Sequence, residues 1–202
     1  MDSIKILKYK KVKNFLTEEE RNLLLHYTRI FHRINFKNDL VYGQTDFKET
    51  SKYGDPIMES LLINKKDLME KETGLKLHPT YSFWRMYNMF SELKPHIDRP
   101  SCEISVSVHI GSDGTPYPLI IDGKKILTEP GEAVIYLGTE FEHSREEYLG
   151  DWYSQVFLHY VDANGPWAYC AKDNRSMWAV DADPNWISET KQQLEKYKEA
   201  KK

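Results

Sequence analysis

Residues 103–110 alternate strictly between polar and apolar side chains, and no other feature of the sequence constrains the fold as strongly. A period of two is typical of a β-strand that buries one face. Shorter apolar runs follow at residues 118–121, 124–127, 133–137 and 152–161, with Asp-Gly and Pro-Gly turns between them. Short strands at such spacing predict a β-sandwich or β-barrel. The aromatic content of 13% suits a β-rich core, because aromatic side chains favour strands.

One strand and two helices are predicted before this β-like region. Residues 4–12 alternate between apolar and basic side chains, as in an edge strand whose lysines prevent pairing with other chains. Thr17 and Glu20 have the spacing of a capping box, so we expect a helix to begin there. We expect a second helix to begin at Asp55, as its N-cap, and to end at Gly74.

Two more segments complete the organisation of the chain. The polar segment 35–53 predicts a loop that could act as a lid, and a helical pattern restarts at Asp183. The sequence shows no internal repeat or linker, so we expect one domain over residues 1–202. We divide it into a helical support, a β core and a C-terminal extension, at residues 1–76, 77–162 and 163–202.

Charge and cysteine content exclude several classes of protein. The chain has 28 lysines and arginines against 31 aspartates and glutamates, and this net charge of −3 argues against a nucleic-acid-binding protein. No segment approaches the roughly 20 apolar residues of a membrane span, and the lysine-rich start lacks the apolar core of a signal peptide. Cys102 and Cys170 form no CxxC motif and no disulfide framework. We therefore expect a reduced, cytoplasmic protein without a membrane partner.

The tripeptide His96-Ile97-Asp98 is the best candidate for a metal site. In an extended segment, residues i and i+2 point to the same side, so this imidazole and carboxylate converge. A second histidine from a later strand would complete a set of two histidines and one carboxylate, which is diagnostic of non-haem Fe(II) oxygenases. His143 is our candidate, because it follows a tight turn and the buried strand predicted at 133–137.

The turn, strand and histidine of residues 130–143 resemble those of the double-stranded β-helix oxygenases that depend on Fe(II) and 2-oxoglutarate. In that family, a turn and an apolar strand lead into the distal iron-binding histidine. The resemblance implies a mainly β fold, with a double-stranded β-helix (jelly-roll, cupin-like) core and flanking N-terminal and C-terminal helices. It also implies that His96, Asp98 and His143 bind Fe(II). The aspartate favours hydroxylation, since related halogenases lack this carboxylate.

The segment before His96 supports the same resemblance. Members similar to prolyl 4-hydroxylases carry a tyrosine nine residues before the first iron-binding histidine, and Tyr87 has this spacing. The resemblance implies that Tyr87 hydrogen-bonds a carboxylate of 2-oxoglutarate. The family's glycine three residues later is Phe90 here, a departure that we expect to reshape the entrance loop.

The distal carboxylate of 2-oxoglutarate should meet an arginine or lysine, ideally a bidentate arginine. Family members usually place this residue on the last core strand, but residues 152–160 contain neither type. Arg145 is our first candidate, because it lies two residues after His143 and would point the same way in an extended segment. Arg85 is the second candidate, because it lies two residues before Tyr87 and shares its strand face. His159 is the third candidate.

The resemblance implies an enzyme that uses Fe(II), 2-oxoglutarate and O₂, releases succinate and CO₂, and hydroxylates a small molecule or a peptide. Similarity to prolyl hydroxylases points to a prolyl or other amino-acid side chain. Nucleic-acid demethylation of the AlkB kind is disfavoured, since the two arginines of that family are absent. The alternative is a non-catalytic, metal-binding cupin-like binding or sensor module. Five aromatic and basic side chains could line a substrate opening, although aromatic residues in a β core more often pack inside it: Trp84, Arg99, Tyr117, Trp152 and Trp167.

Overall fold

A computed structural model describes residue 4, residues 8–37 and residues 49–179 of the 202-residue chain. Its strands are β1 (Tyr9–Val12), β2 (Thr50–Tyr53), β3 (Leu77–Asn88), β4 (Leu93–His96), β5 (Ile104–Ser112), β6 (Leu119–Ile121), β7 (Lys124–Ile126), β8 (Ala133–Tyr136), β9 (His143–Arg145) and β10 (Trp152–Asp162). They form a larger sheet of order β1-β8-β5-β10-β3-β2 and a smaller sheet of order β4-β9-β6-β7. The neighbouring strands we find paired are antiparallel.

The two sheets pack face to face around an apolar and aromatic interior. Leu119 and Ile121 of β6 lie in one buried cluster with Val134 and Tyr136 of β8. Strands that are distant in sequence become neighbours, as β10 pairs with both β3 and β5. This arrangement is a double-stranded β-helix, or jelly roll, and it confirms the predicted fold class.

The strand predictions agree with the structure. The strictly alternating segment 103–110 lies almost entirely in β5. Asp122 and Gly123 join β6 to β7 with φ values of 49° and 73°, which is the backbone of a tight hairpin turn. The lysine-rich strand predicted within residues 4–12 is observed as β1, at one edge of the larger sheet. Local alternation and turn residues therefore predicted most of the core.

Helices cover the outer face of the larger sheet: α1 (Glu18–Lys37), α2 (Pro56–Asn64) and α3 (Lys66–Thr73). Leu24 of α1, Leu62 of α2 and Met69 of α3 belong to one buried cluster with the outward-facing side chains of the sheet. Trp84 of β3 is in this cluster and packs edge-on against Phe31 of α1, with ring centroids 5.5 Å apart. The larger sheet is therefore buried on both faces.

Predicted capping signals mark the helix ends. Glu20 N–H donates to Thr17 Oγ1 (3.1 Å) and Thr17 N–H donates to Glu20 Oε2 (2.8 Å), which is the capping box at the start of α1. Asp55 caps α2 by accepting from the N–H of Ile57. Gly74 ends α3 with a φ of 73°, the left-handed conformation that glycine adopts without strain.

The single helix predicted from Asp55 to Gly74 is wrong, because the chain breaks it at Lys65. Lys65 has a ψ of −2°, and its N–H donates to carbonyl groups in the last turn of α2. Its ammonium group lies 2.7 Å from Glu20 Oε2, so an ion pair to α1 accompanies the break. This long-range contact has no counterpart in the local helix pattern.

The polar loop predicted at residues 35–53 is wrong at both ends. Helix α1 continues to Lys37, and Thr50–Tyr53 forms β2 at an edge of the larger sheet. The sequence of β2 has no apolar alternation, so pairing with the edge of β3 determines that it is a strand. Residues 38–48 and the helix predicted from Asp183 lie outside the described residues.

None of the described helices is long and apolar enough to cross a membrane. Cys102 and Cys170 are both buried and free, in agreement with the predicted lack of a disulfide framework. The prediction of one domain over residues 1–202 extends beyond the described residues and stays a prediction.

Candidate active site

The three predicted metal ligands converge at one edge of the smaller sheet. His96 ends β4 and His143 begins β9, and antiparallel pairing places these residues opposite each other. Asp98 follows shortly after β4, where its N–H donates to the carbonyl of Gly138 (2.9 Å). Each histidine Nε2 lies 3.5 Å from a different carboxylate oxygen of Asp98. One ligand atom from each residue lies within 4.8 Å of the other two, a spacing that a single metal ion can bridge.

Backbone carbonyl groups orient both imidazole rings. His96 Nδ1 lies 2.7 Å from the carbonyl oxygen of Lys94, and His143 Nδ1 lies 3.0 Å from that of Phe141. A carbonyl oxygen only accepts, so each Nδ1 donates and each Nε2 is directed at Asp98. Two imidazole lone pairs and a carboxylate repel one another unless a proton or a metal ion lies between them. The donor set therefore fits a divalent cation, with the outer hydrogen bonds that orient metal-binding histidines.

The surroundings of Asp98 favour its ionised form. Burial alone would raise the pKa of this carboxyl group, but hydrogen bonds with His143 and His96 outweigh burial and hold the pKa below its usual range. The same hydrogen bond with Asp98 raises the pKa of His96, although burial opposes the change. Ser105 Oγ also lies 3.3 Å from Asp98 Oδ2, within reach for donation. Asp98 is therefore available as an anionic ligand.

A second group, Asp98, Cys102 and His159, also has ligand atoms within 4.8 Å of one another. Burial raises the pKa of the Cys102 thiol, however, and its Sγ lies 2.9 Å from the hydroxyl of Tyr81. The thiolate is the metal-binding form of cysteine, so this group is a weaker candidate. We therefore assign the metal to the two histidines and one carboxylate of the first group.

A cavity of about 340 Å³ opens beside the metal ligands. Its walls are His96, Asp98, His143, Tyr53, Tyr81, Phe83, Arg85, Leu93, Tyr136, Phe157 and His159. None of the five side chains named as candidates for the opening is part of this wall: Trp84, Arg99, Tyr117, Trp152 and Trp167. Successive residues of a strand point to opposite faces, so Phe83 and Arg85 face the cavity while Trp84 faces the helices.

Deeper in the interior, Tyr87 and Arg145 lie in one cluster of buried side chains. The Arg145 guanidinium lies 4.8 Å from the ring centroid of Tyr117 and 5.0 Å from that of Tyr153. The Tyr87 and Tyr117 ring centroids are 5.3 Å apart. Burial raises the pKa of Tyr87, so its hydroxyl keeps its proton and can donate. The structure thus brings together the tyrosine and the first of the two arginines proposed for 2-oxoglutarate.

Several buried polar atoms of this cluster have no hydrogen-bond partner among the described residues: Tyr87 OH, Arg145 Nε, Tyr153 OH and both amide atoms of Gln155. Native proteins rarely leave buried polar atoms without a partner, so ordered water or a polar ligand is expected to satisfy this set. Gln155 was not among the predicted site residues, and it pairs in register with Arg85 on β3 and His109 on β5. Its only signal in the sequence was an amide inside a strand that was expected to be buried.

The other two candidate partners of 2-oxoglutarate lie in different surroundings. Arg85 lines the cavity, but its Nε and Nη2 donate to Glu49 Oε2 at 3.0 Å and 2.7 Å, so a buried carboxylate neutralises its charge. His159 lies at the metal end of the interior, with its ring centroid 4.4 Å from that of Tyr81. Burial lowers the pKa of His159 to about 4, so its ring is neutral at pH 7. Arg85 also lies against Tyr87, with its guanidinium 4.5 Å from the centroid of that ring. Arg145 differs from it in having no carboxylate partner among the described residues, so its charge is the one available to an anionic ligand.

Phe90 has a φ of 69°, in the left-handed region that favours glycine. Its N–H donates to the carbonyl oxygen of Tyr148 at 2.7 Å, which holds this turn in place. The loop after β3 therefore has a backbone turn for which glycine is the usual residue, with a half-exposed aromatic side chain instead.

The fold of this chain is similar to that of several solved structures. No protein-family model and no curated protein matches the sequence. A Pseudomonas putida prolyl-4-hydroxylase structure is similar with a TM-score of 0.58 and 14% identity, over 79% of this chain and 96% of that one. A viral collagen prolyl hydroxylase from Paramecium Bursaria Chlorella virus-1 has a TM-score of 0.56 and 12% identity, over 76% and 94%. The alpha-ketoglutarate-dependent epimerase SnoN from nogalamycin biosynthesis has a TM-score of 0.64 and 13% identity, over 88% and 87%. The chain therefore has the double-stranded β-helix fold of the 2-oxoglutarate- and Fe(II)-dependent oxygenases, the fold that the prolyl hydroxylases share.

Proposed function

We propose that this protein is a non-haem dioxygenase that depends on Fe(II) and 2-oxoglutarate. The observation that supports this most is the convergence of His96, Asp98 and His143 at the wall of a cavity within this fold. Two histidines and one carboxylate leave part of the coordination sphere open, as non-haem Fe(II) oxygenases require. Structural zinc sites are instead closed by four protein ligands.

The residues of the interior would divide the binding of metal and cosubstrate between them. The Nε2 atoms of His96 and His143 and the carboxylate of Asp98 would hold Fe(II). The unpartnered hydroxyl of Tyr87 and the guanidinium of Arg145 would bind the distal carboxylate of 2-oxoglutarate. A charge-assisted contact with this carboxylate would also satisfy donors that are otherwise buried without a partner.

The chemistry that bound Fe(II) and 2-oxoglutarate would supply is oxidation of the substrate by O₂, with release of succinate and CO₂. The chain's own part is to hold the ligands, orient the substrate and exclude water. Aromatic walls on β2, β3 and β10 suit this last role, since they shield the metal ligands from solvent on one side. We place a hydroxylation at this site, with a prolyl or other amino-acid side chain as one candidate substrate.

The test is anaerobic addition of Fe(II) and then 2-oxoglutarate to the purified protein, followed by visible absorption. We expect the weak charge-transfer band of the chelate in the wild type and its loss in Asp98→Ala. Asp67→Ala is the matched control, because Asp67 is exposed on α3, on the outer side of the larger sheet and away from the metal ligands. Circular dichroism would establish that each variant is folded.

Turnover then separates the enzyme from the alternative of a metal-binding cupin-like module. An oxygenase should convert 2-oxoglutarate to succinate when O₂ is admitted, and Asp98→Ala should abolish this conversion. Iron binding without a charge-transfer band or succinate would overturn the proposal and favour a binding or sensing role.

A further inference from the structure

Aromatic rings form the wall of the cavity around His159. The ring centroids of Tyr53 and Tyr81 are 4.9 Å apart, and those of Tyr81 and His159 are 4.4 Å apart. The ring of Phe157 is nearly parallel to that of His159, at an interplanar angle of 11° and a centroid distance of 6.2 Å. Phe83 continues the wall beside Phe157. Flat apolar faces of this kind favour a flat or cyclic ligand.

Outside the metal ligands, the cavity wall offers no unpaired charge among the described residues. Arg85 is the one arginine or lysine of the wall, and its ion pair with Glu49 is buried, with 2% and 0% of the two side chains exposed. The hydroxyl of Tyr53 donates to Asp173 Oδ2 at 2.5 Å, so this polar group is also occupied. Burying a charged ligand group without a partner is costly, so the wall selects against charged substrates.

His159 offers the cavity a hydrogen-bond acceptor. Its Nδ1 lies 2.8 Å from Ser105 Oγ, and Ser105 Oγ also lies 3.1 Å from the carbonyl oxygen of Cys102 and 3.3 Å from Asp98 Oδ2. The carbonyl oxygen and the carboxylate only accept, and each would repel a Ser105 oxygen that directs its proton elsewhere. We therefore assign the single Ser105 proton to one of them, and in this assignment His159 Nδ1 donates to Ser105 Oγ.

This assignment leaves the other nitrogen of the His159 ring as a lone-pair acceptor. Because Nδ1 is bound to Ser105, the edge that carries Nε2 is the one free to meet a ligand. His159 is 5% exposed, and among the described residues its hydrogen bond is the one from Nδ1 to Ser105. A buried imidazole without a direct carboxylate partner stays neutral, so it can accept from a ligand hydroxyl or N–H group.

We propose that the cavity binds an uncharged ring compound whose ring packs against Tyr81 and Phe157 and whose hydroxyl or N–H group donates to His159 Nε2. The proposal rests on the proposed function, because it places this compound where the oxidised substrate would lie. A cavity of about 340 Å³ suits a compound of one or two rings. This recognition narrows the candidate substrates named above, because a prolyl residue within a peptide fits poorly: its ring nitrogen carries no hydrogen and cannot donate.

Small probes of matched shape test this recognition directly. Dissociation constants of phenol, toluene, benzoate and N-acetylproline methyl ester would be measured by ligand-observed NMR on the full chain. We expect phenol to bind about three- to tenfold more tightly than toluene, the contribution of one hydrogen bond. Benzoate and the proline ester should bind more weakly than phenol. Equal or tighter binding of benzoate or the proline ester, or no binding of phenol at millimolar concentration, would overturn the proposal.

Variants assign the preference to His159. His159→Phe keeps a ring at this position but removes the acceptor, so the phenol–toluene difference should disappear while toluene affinity changes less than about twofold. Phe157→Leu is the matched wall variant, and it should weaken phenol and toluene equally and keep their ratio. A phenol preference that survives in folded His159→Phe would overturn the role of His159. The wild-type probe comparison stands even if that variant does not fold.

The probe experiment is run first without metal and then anaerobically with Fe(II) and 2-oxoglutarate. Selective phenol binding by a protein that gives no charge-transfer band would contradict the proposed oxygenase and support this recognition site. A normal charge-transfer band and succinate release, together with benzoate binding as tightly as phenol, would support the oxygenase and contradict this recognition site.

Discussion

At the scale of single residues, the two arginines near Tyr87 differ in how their charge is balanced. Arg85 forms a buried ion pair with Glu49, whereas Arg145 donates to the carbonyl oxygen of Tyr117 and has an unpartnered Nε. An ion pair fixes Arg85 as a structural group, and an unbalanced guanidinium is the one that gains most from an anionic ligand. The spacing of the arginines along their strands indicated a face for each of them, but the sequence held no information on Glu49 as a partner.

Substitution of each arginine by glutamine should therefore affect a different property, ligand binding for Arg145 and stability for Arg85. Arg145→Gln should weaken 2-oxoglutarate binding about 10- to 100-fold, because it removes a charge-assisted contact to the distal carboxylate. Arg85→Gln should lower the free energy of unfolding by roughly 3–5 kcal/mol, because Glu49 loses its buried partner. Titration of the charge-transfer band and urea unfolding measure the two effects. A stable Arg85→Gln protein that no longer binds 2-oxoglutarate would show that Arg85, and not Arg145, binds the distal carboxylate.

At the scale of secondary-structure elements, the connection between β8 and β9 holds Asp98 in place. Gly138, just after β8, accepts from the N–H of Asp98 (2.9 Å) and donates to the carbonyl of Glu103 (3.2 Å). A Cβ at Gly138 would overlap the Asp98 carboxylate and lie 2.5 Å from the carbonyl oxygen of Cys102. A glycine is therefore needed here for close approach of the two segments, and not for an unusual φ.

Gly138→Ala should weaken Fe(II) binding by about 10- to 100-fold, the usual effect of displacing a group that supports a metal ligand. Competition with a chromophoric chelator would measure the affinity. Gly111→Ala is the control, because its Cβ would meet the two methyl groups of Leu25 at 3.0 Å and 3.4 Å and the Trp152 ring at 3.7 Å, and none of the metal ligands. Unchanged iron affinity in folded Gly138→Ala would show that this connection does not position Asp98.

At the scale of the whole molecule, buried neutral histidines inside the β-helix make the stability of the fold depend on pH. Burial lowers the pKa of His109 from its ordinary value of 6.5 to about 4, and its Nδ1 lies 2.8 Å from the carbonyl oxygen of Thr128. Below pH 6.5 the unfolded chain therefore binds a proton at this residue that the folded protein does not. Stability falls as the pH is lowered through this window and stops falling, for this group, below about pH 4.

For His109 alone, the loss of unfolding free energy between pH 7 and pH 5 should be about 2 kcal/mol. His109→Gln removes the titrating group, so the difference between its stabilities at the two pH values should be smaller than in the wild type by this amount. Urea unfolding at both pH values measures it. His78→Gln, at an exposed position, should keep the wild-type difference. An unchanged pH dependence in His109→Gln would show that His109 is protonated in the folded protein.

The sequence by itself determined the features that act over a few residues. Alternation at 103–110 and the turn at Asp122-Gly123 predicted strands, because side-chain direction and backbone φ are local properties. The i, i+2 spacing of His96 and Asp98 likewise predicted a shared face. The strand before His143 and the spacing of Tyr87 then carried the resemblance to the oxygenase family.

Only the tertiary structure decided the features that depend on contacts between distant segments. Thr50–Tyr53 is a strand because β3 offers it an edge, and the helix expected up to Gly74 breaks where Lys65 pairs with α1. The tautomer of His159 depends on Ser105, a residue on another strand. This site is defined by charges, proton positions and unpartnered atoms that depend on contacts between strands far apart in sequence. A local sequence pattern does not include such contacts, so it cannot predict them.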